Sequence, residues 1–171
     1  LEISHMKIRL VLFTLLISLS IIGCENSSKI ENFEIEKQWM SLYQKEGCLT
    51  GGQHWGPGTT EGSIFREKEW QRFFSISSKT TIPFLMTRIN STEETKIHVC
   101  PFYMATEGEL AVYASEHIIE KNWFESDSEF RELSSWSEKR RNATSTVTQT
   151  MLLDIQARNE LKNYFLTNIS D

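Results

Sequence analysis

The sequence predicts a mainly α fold, a compact bundle of five or six helices in short antiparallel pairs, with an α-solenoid-like stack as its variant. Three observations carry this expectation. Apolar residues recur at helical spacing in several separated segments. Ser/Thr-x-x-Glu capping boxes stand at Ser28, Thr106 and Ser126. The length of 171 residues, 39% hydrophobic and 24% charged, suits one ordinary core.

The first helix is expected from Ser28 to about Lys45, with Ile35, Trp39, Leu42 and Tyr43 on its buried face and Gly47 as its stop. Residues 48–60 are rich in glycine, contain Pro57 and lack periodicity, so they read as a loop. Ser63 to Ile76 is the next amphipathic run, with Phe65, Trp70, Phe73 and Phe74 inward. Thr81 to Ile89 is ambiguous, because Pro83 suits a first helical turn while Ile, Phe and Thr also suit a strand. Lys96 to Phe102 reads as extended. An α+β fold with a short hairpin at about 80–102 is therefore the alternative to the helical bundle. From Thr106, Leu110, Ala114, His117 and Ile118 follow at helical intervals. Ser126 opens a further helix with Phe130, Leu133 and Trp136, closed by Lys139, Arg140 and Arg141, whose charge complements the helix dipole. The last helix is expected from Thr146 to Asn168, striped by Val147, Met151, Ile155, Leu161 and Phe165.

Ahead of this body lies a different kind of segment. Residues 1–5 read as an upstream scar; Lys7 and Arg9 then form a positive region, and Leu10 to Ile22 is an apolar run. Such a run is too short to cross a hydrocarbon core of ~30 Å, which takes about 20 residues. It ends in Ile21-Ile22-Gly23-Cys24, and this resembles the lipobox of bacterial prolipoproteins. The resemblance covers Met6 to Cys24. It implies a leader over residues 1–23 removed after Gly23, and a diacylglycerol thioether on Cys24. It also implies a lipidated tether over 24–29, with a single domain over 30–171. Two or three acyl chains bury many methylenes at roughly 0.8 kcal/mol each, so attachment would be effectively permanent. Glu25, rather than Asp, follows the cysteine, and by analogy with enteric bacteria this favours the outer membrane where there is one. The expected address is the cell envelope, facing the periplasm or the exterior. Separately, Leu110 to Ala114 resembles the small-residue packing of HEAT-type hairpins, without a second copy at a fixed period.

Loss of the leader leaves 16 of the 18 basic and 22 of the 23 acidic residues, a net charge of −6 with His neutral. That balance disfavours general affinity for nucleic acid or anionic lipid. Beyond the lipid on Cys24 no cofactor is expected. The sequence holds no G-x-S-x-G, H-E-x-x-H, dinucleotide fingerprint or P-loop. With no nucleophile, base and orienting partner identifiable together, it gives no ground for an enzyme. The unusual segment is Gly51 to Gly58, whose glycines carry His54 and Trp55 either to a partner or back onto the core. Cys48 and Cys100 remain after lipidation. They are read as a disulfide closing about 52 residues and contributing about 4 kcal/mol on the chain-entropy model, or as two buried thiols. They also belong, with His54 and His98, to a set of metal-ligand types whose spacing matches no standard zinc pattern. His117 beside Glu116 and Glu120 suggests acid/base chemistry, yet its place on an apolar stripe reads as a core histidine. Lys139 to Arg141 would meet an anionic group or simply water.

These readings converge on a membrane-anchored module that binds another envelope protein, as a structural, accessory or immunity-type factor. The rivals are an envelope hydrolase or metalloprotein using the 48–58 loop with His98 and Cys100, and a small-ligand carrier.

Overall fold

Over Glu94–Val99 side chains alternate, Thr95, Ile97 and Val99 buried against Glu94, Lys96 and His98 exposed, and this period of two makes the segment a strand. The computed structural model describes residues 33–49, 63–99, 103–125, 135–136, 138–139 and 147–169. It divides into two compact units, Leu1–Lys37 and Gln38–Asp171. Of the first unit, residues 33–37 are described, and they are helical. All that follows concerns the second.

Gly47–Cys48 (β1) runs parallel to Glu94–Val99 (β2), with Gly47 opposite Ile97 and Cys48 opposite His98. Tyr103–Thr106 (β3) runs antiparallel to β2, with His98 opposite Met104 and Val99 opposite Tyr103. The sheet order is β1-β2-β3. Its register shifts between Glu94 and His98. There the buried Thr95 hydroxyl donates to the Ala105 carbonyl at 2.8 Å and accepts from the Ile97 N–H at 3.1 Å, replacing ladder bonds that the irregularity interrupts.

This mixed sheet overturns the all-helical bundle of antiparallel pairs and its solenoid-like variant. The hairpin alternative misplaced its first strand, since Ser78–Arg88 (α3) is helical; Lys96–Val99 is extended as expected, within β2, and the hairpin is formed by β2 with β3. Pro83 sits inside α3, at its sixth residue. Thr81, Ile82, Leu85 and Met86 bury that helix's inner face at helical spacing, and packing outweighs the β propensity of the individual residues.

Helical residues 38–43 (α1) open the second unit, with Trp39, Leu42 and Tyr43 buried as expected. The run from Ser63 is split. Ser63 caps a 3₁₀ turn, Ile64–Arg66, by accepting from the Phe65 N–H, and Lys68–Phe74 (α2) starts anew after Glu67. Trp39 meets Trp70 edge-on at 6.0 Å and Phe73 at 5.5 Å, and Phe65 lies 4.9 Å from Trp70. Such pairs contribute about 0.5–1.5 kcal/mol beyond their buried area.

Glu107–Ile119 (α4) follows β3 without a loop. Thr106 ends the strand and caps the helix, accepting from the Glu109 N–H. Leu110, Ala111, Val112 and Ala114 are buried, and α4 packs on α3. The single long last helix is corrected to two, Val147–Met151 (α5) and Ile155–Thr167 (α6). Asp154 breaks the run because its carboxylate accepts from the Gln156 and Ala157 N–H groups, an N-cap that leaves Ile155 67% exposed instead of in the stripe. The expected capping boxes at Ser28 and Ser126, with Phe130 and Leu133, lie outside the described residues. No helix among the described residues is long and apolar enough to cross a membrane.

Candidate functional site

A cleft of about 540 Å³ opens where the C-terminal half of α4 faces the 3₁₀ turn and the start of α2. Leu49 and Ser63 form one wall, tied together because the Ser63 hydroxyl donates to the Leu49 carbonyl at 2.8 Å. Phe65 and Gln71 continue that side, with the Gln71 amide donating to the Phe65 carbonyl at 2.6 Å. Opposite them, Tyr113, Glu116, His117 and Glu120 project from successive turns of α4, spaced to share a face. Glu120 adopts the left-handed conformation, φ 54°, and ends the helix, bringing Lys121 and Asn122 to the rim.

The cleft carries both signs of charge, Arg66 and Lys121 against Glu116 and Glu120. Glu116 is buried and its Oε1 accepts from the Trp123 N–H at 3.1 Å, which fixes that carboxylate. Ser63, the natural candidate for a nucleophile, already donates to Leu49 and accepts from Phe65. The lining thus combines charged and polar groups with the rings of Phe65, Tyr113 and His117.

His117 departs from expectation. It is exposed rather than a core histidine, and α4 buries Ile119 instead. Its ring lies 4.3 Å from Phe74 and 5.3 Å from Phe65. Desolvation against these rings holds its pKa below the ordinary 6.5, while the charge of Glu120 opposes the shift. The neutral form is thus favoured in the fold, and the unfolded chain binds the proton more readily. Stability is therefore lost as pH falls through the ordinary imidazole range toward the depressed native value. An NMR titration should place the His117 midpoint below 6.5. Phe74→Ala should raise that midpoint and Glu120→Gln should lower it further. A midpoint unmoved by Phe74→Ala would refute the desolvation account.

Cys24, His54, Trp55, Cys100, Arg140 and Arg141 lie outside the described residues. His98 is exposed on β2, directly across from Cys48. Cys48 is disulfide-bonded, so its sulfur is no thiolate and does not serve the metal set considered with His54, His98 and Cys100. Among the described residues no group of three or more His, Cys, Asp or Glu could hold a metal ion. The Lys139 ammonium sits 4.0 Å from the Trp136 ring centroid, a local cation–π contact.

Sequence reasoning missed the buried carboxylates at the start of α4. Glu107 accepts from the Trp39 indole at 2.8 Å, and Glu109 accepts from the Tyr103 hydroxyl. Glu109 looked like the reciprocal half of a capping box, and nothing in its spacing distinguished that role from a core acceptor. Comparison with protein-family models, curated proteins and solved structures gives no match to this chain.

Proposed function

We propose that this chain is an exported lipoprotein, acylated at Cys24, whose folded body binds another protein of the cell envelope as an accessory or immunity-type module. The observation that carries the reading is the Ile21-Ile22-Gly23-Cys24 motif placed directly after the apolar run. A disulfide at Cys48 is in keeping with it, since such bonds persist in oxidising compartments outside the cytoplasm. The mixed-sign cleft at the end of α4 is the surface we assign to the partner, because interfaces gain specificity from complementary charge around apolar contacts. The metalloprotein rival loses a ligand to the Cys48 disulfide.

In a bacterial host fed a clickable fatty acid, the wild-type protein should take up the label at its N-terminal cysteine, and Cys24→Ser should abolish it. An unlabelled mature chain with a free thiol at Cys24 would refute the lipoprotein reading. For the partner, a photo-cross-linking residue at Lys121, on the rim of the cleft, should trap one envelope protein that the same residue at Lys96 on β2 does not. Equal trapping at both positions would remove the cleft from the proposal while leaving the anchor standing.

A further inference from the structure

Strand β1 is two residues long, far short of the five or six of an ordinary strand, and two ladder positions alone hold a segment weakly. Yet the residue that follows it, Leu49, is placed on both sides. Its N–H donates to the His98 carbonyl at 2.9 Å, and its own carbonyl accepts from Ser63 at 2.8 Å. Leu49 and Ser63 are wall residues of the cleft. The residue immediately before Leu49 is Cys48, and it is disulfide-bonded. Three cysteines occur in the chain, so its partner is Cys24 or Cys100.

We infer that the partner is Cys100, and that the Cys48–Cys100 bridge is what fixes the Leu49 wall of the cleft. Two arguments support this. The first rests on the lipoprotein reading: a sulfur engaged in a thioether cannot also form a disulfide, which removes Cys24. The second is independent of it. Cys48 stands opposite His98, and paired strands lie about 4.8 Å apart. Two peptide links place the Cys100 Cα within about 7 Å of the His98 Cα whatever path the chain takes. With the strand spacing added, the Cys100 Cα lies within about 12 Å of the Cys48 Cα, a range that includes the separation of about 4.4–6.8 Å that disulfides require.

The chemistry balances with a disulfide donor of the thiol–disulfide oxidoreductase class. One thiolate of the pair attacks the donor's disulfide, and the second thiolate then resolves the mixed disulfide. The two thiols lose two protons and two electrons, and the donor leaves as a dithiol. The consequence is that the cleft is completed only after export into an oxidising compartment, which would keep the module from engaging its partner in the cytoplasm.

The test uses the full chain purified from membranes, alkylated and digested with trypsin without reductant. The peptide 46–66 should be recovered linked to 97–121, with 24–29 carrying lipid. A link from 46–66 to 24–29, or an alkylated Cys48, would overturn the inference. A 46–66 to 97–121 link together with an unlipidated 24–29 would sustain the bridge and overturn only the lipoprotein reading. Amide exchange on the same protein tests the second half. On reduction, the Leu49 N–H should exchange at least tenfold faster, while Leu110 to Ala114 in α4 keep their protection. An unchanged Leu49 would show that the bridge does not hold the wall.

Discussion

Gly108→Ala should destabilise the protein by about 2 kcal/mol or more, lowering the melting temperature by about 5 °C or more at roughly 2–4 °C per kcal/mol for a chain of this size. The expected sign is the informative part. In an ordinary helix interior, replacing Gly by Ala stabilises by roughly 0.5–1 kcal/mol. At this position an added Cβ would stand 2.6 Å from the Ile89 carbonyl oxygen and 2.8 Å from that of Ser91. Both atoms are backbone, so no side chain can turn aside. The helix cannot retreat freely either, because the Gly108 N–H donates to the Ser91 carbonyl at 3.1 Å. Overpacking of this kind costs typically 1–3 kcal/mol, sometimes more, and it outweighs the helix-propensity gain. Thermal unfolding by circular dichroism would decide it. A melting temperature equal to or above that of the wild type would mean that α4 is not held against the end of α3 in this way.

Trp39→Phe should cost about 3 kcal/mol, most of it through Glu107. Trp39 is fully buried among Tyr43, Trp70, Phe73 and Phe84, and phenylalanine refills much of its volume. It does not replace the indole N–H that Glu107 accepts at 2.8 Å. Glu107 is 6% exposed, so the substitution strands a buried carboxylate. Such a loss costs about 1–3 kcal/mol or more for a charged group, whereas removing both partners together is much cheaper. The double variant Trp39→Phe/Glu107→Leu should accordingly be less destabilised than the two single effects summed, by about 1–2 kcal/mol. Urea unfolding midpoints at constant slope give the cycle directly. Additivity within about 0.5 kcal/mol would mean that the hydrogen bond contributes nothing of its own.

How far the sequence could be read differs from element to element. The apolar faces of α1 and α2 were legible, since Trp39, Leu42, Trp70 and Phe73 recur at helical spacing and are buried where that spacing puts them. The cap at Thr106 was legible for the same reason: its signal is local. The Asp154 cap was equally local, but a continuous apolar stripe running through it concealed the break. The sheet was less legible. Neither Gly47–Cys48 nor Tyr103–Thr106 is long enough to show a period, and each becomes a strand only because β2 lies beside it. The spacing that puts His117 on the stripe with Leu110 and Ala114 could not show that Phe65 and Phe74, from two other elements, would receive its ring at the mouth of a cleft.

By itself, then, the order of residues determined what depends on neighbours within a few positions: helical faces, one strand's alternation, the side-chain caps, the acidic balance, and the Ile21-Ile22-Gly23-Cys24 motif from which the proposed address follows. Tertiary structure decided the rest: the parallel pairing of β1 with β2, the burial of Glu107 and Glu109, the need for glycine at position 108, and the cleft. The reason is physical. Local signals arise from backbone geometry repeated every two or 3.6 residues, whereas a buried acceptor, a close backbone approach and a cleft each require atoms that folding alone brings within a few ångströms.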